Sequence, residues 1–249
     1  MSNLRHPIVT FLANYVHSEA RRQSSVNVSS PDHEMQPFRV HKNYICHYFP
    51  YFDAAFNGSF IEGETHVLEL EDTEPKIFGI FVNWLYTQDI IDEEGRPASC
   101  SDCINLWILA DKILVPVLQN QTLGQLEVVR ISSSKKRFSS AIFHRVWDNT
   151  TEDSPLRAYL VEVMIRKPKR GKIAFPGDYP HGMLVAMINR MRSREWDRNL
   201  RDGSSQDSWN IPAEELMDYL VSEDVESRKV VPAGPDPPAG NDSGFVDVE

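Results

Sequence analysis

The sequence predicts an α+β fold, a small mixed sheet packed on a cluster of short helices, followed by an α-helical extension and an acidic tail. Three observations carry this. Short alternating runs of strand type, Phe38-Arg39-Val40 and Val67-Leu68-Glu69-Leu70, flank an aromatic-rich helical stretch at 42–57. Glu74 to Thr87 is apolar on nearly every side, so neighbours must cover it all round, and it belongs at the centre. From Lys229 onward Pro, Gly, Asp and Ser dominate without any period, the composition of a disordered tail.

Taken in order, Ile8, Phe11, Leu12, Tyr15 and Val16 follow i, i+3, i+4, i+7, i+8 spacing and predict an amphipathic N-terminal helix. Arg5 before it and Ser18-Glu19-Ala20 after it imitate a secretory leader, but Thr10 and Asn14 interrupt the apolar run. Val26-Asn27-Val28 alternates, as does Phe38-Arg39-Val40, and Ser29 to His33 between them is dense in turn formers; a hairpin is predicted. Pro50 suits the first turn of a helix and not its interior, so 42–57 reads as two short helices meeting there. Asn57-Gly58 predicts a left-handed cap on the second.

Ser99 with Asp102 signals a capping box for a helix to about Ile113, and Pro116 opens another to roughly Val129. Helical stripes follow at Phe138, Ile142 and Val146, and at Leu156, Tyr159, Leu160, Val163 and Met164 behind Ser154-Pro155. Leu184, Met187, Ile188 and Met191 form one more, and Pro212 opens a last short helix with Leu216, Tyr219 and Leu220. The boundaries are then an N-terminal segment at 1–24, a core domain at 25–131, a helical extension at 132–200 and the tail at 201–249.

Charge is laid out in blocks. The net charge is −10, and residues 202–249 alone carry twelve acids against Arg228 and Lys229. Residues 166–201 hold ten bases and three acids. Such blocks point to contact between tail and basic segment, or to a charged partner. Three cysteines are too few for a disulfide scaffold and fit a reducing compartment, cytoplasm or nucleus. No apolar run approaches the roughly 20 residues that span a bilayer.

From Phe38 to Leu118 the pattern becomes specific. Phe38-Arg39-Val40-His41-Lys42, Tyr51-Phe52-Asp53-Ala54-Ala55-Phe56, Leu68 to Asp72 and Phe81-Val82-Asn83-Trp84-Leu85-Tyr86-Thr87 stand in order, and Ala110-Asp111-Lys112 centres a closing helix pair. Together they resemble the BTB/POZ family over about 25–131, most like BTB proteins of filamentous fungi. The resemblance implies a BTB/POZ fold with His41, Lys42, Tyr51, Phe52, Phe56, Trp84, Tyr86, Ala110 and Asp111 as signature positions. It implies protein partners: self-association, partner recruitment, or both, and an adaptor role for a cullin ubiquitin ligase. The family's first-strand aspartate would fall near Ser24 or Ser25, where this chain has no acid. Phe78 to Tyr86 also lacks the acids that adaptors carry near their cullin-facing helix.

Catalytic chemistry is not predicted, nor is a cofactor or metal. Cys100 and Cys103 have redox spacing near a helix start, but no second ligand pair follows. Cys46 and His47 adjoin and so point to different helix faces. His41 and His144 read as packing residues, and the glycines form no phosphate-cradling loop. Arg166, Lys167, Lys169, Arg170 and Lys172 form a basic patch of the nuclear-localisation or nucleic-acid type, extended by Arg192, Arg194 and Trp196. The alternative function is therefore a nuclear regulator that touches nucleic acid through 166–201; a solvated segment balanced by the tail is the favoured reading of the patch.

Overall fold

The computed structural model describes residues 8–13, 36–70, 73–132, 138–166, 176–193 and 211–223. The first described element is a strand, β1 (Ile8–Ala13), where a helix is predicted; Tyr15 and Val16 lie outside the described residues. The apolar spacing at 8–12 fits either form, but only a strand buries Val9, Phe11 and Ala13 together on one face. Tertiary pairing decides it. β1 lies between antiparallel β2 (Gln36–His41) and parallel β3 (Val67–Leu70), giving the order β2-β1-β3. Phe11 faces Phe38 on one side and Leu68 on the other. The predicted hairpin partner Val26-Asn27-Val28 lies outside the described residues; the antiparallel partner of β2 is β1.

β2 runs directly into α1 (Lys42–Tyr48), and α2 (Pro50–Asn57) follows at once. Phe49 between them is extended, as a residue before proline prefers, and the two helices part where Pro50 predicts. After α2, Gly58 is extended (φ −80°, ψ −171°) and not left-handed. Its glycine has another reason: a Cβ there would lie 2.2 Å from the Ala54 carbonyl oxygen, deep inside contact distance. Gly58→Ala is expected to cost about 1–3 kcal/mol of stability in urea unfolding, through forced backbone movement. The short α3 (Ile61–Thr65) has no counterpart in the sequence reading; His66 ends it in the left-handed region at φ 56°.

α4 (Pro75–Thr87) is the central helix, burying Ile77, Phe78, Ile80, Phe81, Trp84 and Leu85. Phe11 meets Phe52 and Phe56 edge-on at 5.4 and 5.5 Å and Phe78 at 5.0 Å, so sheet, α2 and α4 share one aromatic centre. α5 (Cys100–Lys112) starts in the predicted capping box: the Asp102 N–H donates to Ser99 Oγ, and the Ser99 N–H donates to the Asp102 carboxylate. Lys76 Nζ donates to the same carboxylate at 2.7 Å, tying α4 to α5. α6 (Pro116–Ser132) then packs along α5.

The extension comprises α7 (Ser140–Asn149), α8 (Pro155–Arg166) and α9 (His181–Arg192), with α10 (Ala213–Leu216) after it. Arg145 on α7 reaches Glu74 and Asn105, each at 2.9 Å, and the extension's apolar residues are continuous with those of the core. α9 turns Met183 and Met187 inward, leaving Ile188 and Met191 exposed, so its buried stripe is narrower than predicted. Residues 211–223, which charge alone places in the tail, fold back onto α6 and α8. The Ile211 N–H donates to Glu127 Oε1 at 3.1 Å. Asn120 pairs with Val221 like a strand neighbour, donating to its carbonyl at 3.0 Å and accepting its N–H at 2.7 Å. The aperiodic stretch from Lys229 lies outside the described residues.

Candidate interaction surface

The signature residues fall into two groups. Phe52, Phe56 and Trp84 are fully buried, and Ala110 is sealed inside α5. Trp84 Nε1 donates to Gln121 Oε1 at 2.6 Å, satisfying its polar tip between α4 and α6. Lys42 Nζ donates to the Phe56 carbonyl at 2.8 Å, supplying a cation at the C-terminal end of α2. Asp111 accepts from Gln119 at 3.0 Å, and burial pushes its carboxyl above the ordinary value despite that bond. These residues hold the domain's frame.

The second group is brought together at the surface. His41, at the end of β2, meets Tyr86, near the end of α4: its N–H donates to Tyr86 Oη at 3.3 Å, and its Nδ1 lies 3.0 Å from the same oxygen. Tyr44 stacks on Tyr86 (5.4 Å, 15°) and meets Tyr48 edge-on. Tyr44 Oη donates to the Leu85 carbonyl; burial pushes the phenol up, with Tyr48 and Tyr86 adding to it. Tyr51 is half-buried against Phe52. Sequence reasoning singled out Tyr86 and His41 but did not join them to Tyr44 and Tyr48, because the contact crosses 45 positions.

Phe60 and Ile61 were not anticipated at all. They begin α3 with 60% and 64% of their surface exposed, beside Glu62 and Glu64. A large aromatic and a β-branched residue left open side by side, flanked by acids, have the composition of a docking surface. The available signal was Phe60-Ile61 between polar residues in a segment with no other reason to be apolar.

The basic patch is different from its prediction at the one position described. Arg166, at the end of α8, donates to Glu162 at 2.8 Å and pairs with Glu215. Glu162 is buried and also takes Arg190 at 2.8 Å. Burial alone would raise the Glu162 carboxyl; hydrogen bonds from Arg190 and Arg166 and their charges hold it below the ordinary value. Arg166 is thus part of an internal network, and its bond to Glu215 is one contact of the tail-to-basic kind that the charge blocks suggest. Lys167, Lys169, Arg170 and Lys172 lie outside the described residues.

The cysteines are placed poorly for nucleophilic work. Burial, with the charges of Cys100 and Asp102, pushes the Cys103 thiol up to about 12, and burial also raises Cys100 and Cys46. No three His, Cys, Asp or Glu side chains converge on a metal-sized site among the described residues. No described helix is long and apolar enough to cross a membrane.

The mixed sheet, the helix pair α1/α2, the buried α4 and the α5/α6 hairpin now stand beside one further finding. Residues 26–121 match the model of the BTB/POZ domain family. Over that stretch, less than half of the chain, the fold is that of a BTB/POZ domain. The domain is a protein–protein interaction module, and the match ends inside α6, so α7 to α10 lie beyond it. It also begins after β1, so the middle strand of the domain's sheet comes from outside the matched segment. No curated protein matches the chain.

Proposed function

We propose that this chain is an adaptor whose BTB/POZ domain associates with itself and docks a cullin scaffold, while the helical extension holds a second protein for modification. The observation that carries the docking is the open Phe60–Ile61 pair beside Glu62 and Glu64, on the short helix that leads into β3. α3 packs on α2, whose Phe52 and Phe56 are buried in the aromatic centre, so the pair stands on a fixed frame and little ordering entropy opposes binding. The Tyr44–Tyr48–Tyr86–His41 face offers amphipathic rings of the kind enriched at protein interfaces.

Light scattering of the full chain, alone and with a cullin N-terminal segment, tests this. The expected result is a dimer mass that rises further when the cullin is added. Phe60→Ala with Ile61→Ala should weaken the cullin complex by about tenfold or more, as loss of a hot spot does, without changing helical content. A monomer that ignores the cullin overturns the adaptor reading.

The nucleic-acid alternative draws less support, since Arg166 is engaged by Glu162 and Glu215. It predicts a salt-dependent shift of duplex or single-stranded probes that disappears on substitution of Arg166, Lys169 and Arg170.

A further inference from the structure

Between α7, α8 and α9 the extension encloses a cleft of about 840 Å³, closed on one side by Asp218 and Tyr219 from the C-terminal segment. Its apolar lining comes from Trp147, Val161, Val185 and Ala186. Its cations already have partners. Arg157 donates to the carbonyls of Trp147 and Thr150 and lies over the Trp147 ring at 5.1 Å, while Arg190 pairs with Glu162. The exposed acids Glu152, Asp153 and Asp218 are in no ion pair among the described residues and outnumber Arg157, whose hydrogen-bond partners are neutral, so the net charge left in the cleft is negative. His181 also stands at its edge.

A second observation concerns the wall of the cleft. Ser154, at the start of the twelve-residue helix α8, is 5% exposed and lines the cleft, yet its Oγ has no hydrogen-bond partner. Buried hydroxyls in folded proteins are nearly always satisfied, so this one leaves a polar group without a partner of its own in the cleft wall.

We propose that this cleft binds a segment of a partner protein in which one aliphatic or aromatic side chain is flanked by lysine or arginine. The apolar side chain lies on Val161, Val185 and Trp147, and the flanking cations face Glu152, Asp153 and Asp218. This deepens the adaptor reading, naming the chemistry by which the extension holds its second protein.

The test uses the full chain and fluorescein-labelled peptides of about nine residues, with Lys/Arg flanks and a central Leu, Ile, Met or Phe. Anisotropy is read at near-physiological salt, with a central-Ala and a Glu-flanked control. Two variants change exposed positions only: Glu152→Lys with Asp153→Lys and Asp218→Lys, and Ala158→Trp, which fills the cleft from α8. Binding by at least one peptide is expected, weakened by about tenfold or more in each control and each variant, with circular dichroism unchanged. No binding below ~1 mM overturns the proposal. So does binding indifferent to the central residue and to Ala158→Trp, because that is charge attraction alone. Cullin binding is measured on the same samples: its loss with peptide binding intact removes the adaptor reading and leaves the cleft, and the reverse removes the cleft alone.

Discussion

Phe11→Ala is expected to lower the unfolding free energy by about 3–5 kcal/mol, the range for a fully buried phenylalanine whose cavity cannot collapse. Phe11 is 0% exposed and sits where the sheet, α2 and α4 converge, with three rings within 5.5 Å. Truncation removes apolar burial and also the edge-to-face contacts, worth about 0.5–1.5 kcal/mol per pair beyond area. Ile8→Ala on the same strand, half-exposed, should change stability by less than about 0.5–1 kcal/mol. Urea unfolding followed by tryptophan fluorescence reads both. Equal small effects at the two positions would mean that β1 is not part of the core.

The second large effect is expected at Glu127. This buried carboxylate accepts from Arg130 through both oxygens (2.7 and 2.5 Å), from Tyr159 Oη at 2.7 Å and from the Ile211 N–H. Glu127→Ala removes the carboxylate that Arg130 donates to twice and takes the acceptor from a phenol and an amide, which should cost about 3–5 kcal/mol. Glu127→Leu with Arg130→Met should recover a large part of that loss, because the buried cation leaves together with its carboxylate. A double variant no better than the single one would place the cost in Tyr159 and Ile211 instead.

The same carboxylate imposes a pH dependence. Burial works to raise Glu127; hydrogen bonds from Arg130 and Tyr159, the Arg130 charge and the Ile211 N–H together hold it below its ordinary 4.5. Its folded value is lower than its unfolded one, so its contribution is complete above about 4.5 and is lost as pH falls through the folded value. Glu162, depressed by Arg190 and Arg166, adds in the same direction. Unfolding midpoints should therefore drop below that pH, and less steeply in the Glu127→Leu/Arg130→Met variant.

How legible this was in the sequence depended on range. Pro50, the Ser99–Asp102 box and Pro116 announced their helix boundaries because each acts through its own neighbours. Ile8–Ala13 was misread because its apolar spacing satisfies two periods, and only pairing with residues far along the chain selects the strand. The signature residues are named as a group in the sequence, but their division into frame and surface is not, since the full burial of Phe52 and the half-burial of Tyr86 follow from packing. Glu127 and Arg130 stand i, i+3 on α6, a spacing that exposed pairs share, and only Tyr159 of α8 and Ile211 closing over them make the pair a buried one. Phe60 and Ile61 stood out only once nothing was seen to cover them.

The place of β1 also shapes the order in which the sheet can be made. Synthesis produces this strand before either of its neighbours, and all of α1, α2 and α3 separates it from Val67 to Leu70. The helices draw mainly on nearby residues and can form quickly, whereas a parallel pairing across that much chain must first close a long loop. Until it does, β2 and β3 each present an open edge, the kind that captures strands from other molecules. The strand that is made first is thus the one whose insertion completes the sheet, and a slow or weakened insertion would show itself as aggregation of the newborn chain before any loss of folded-state function.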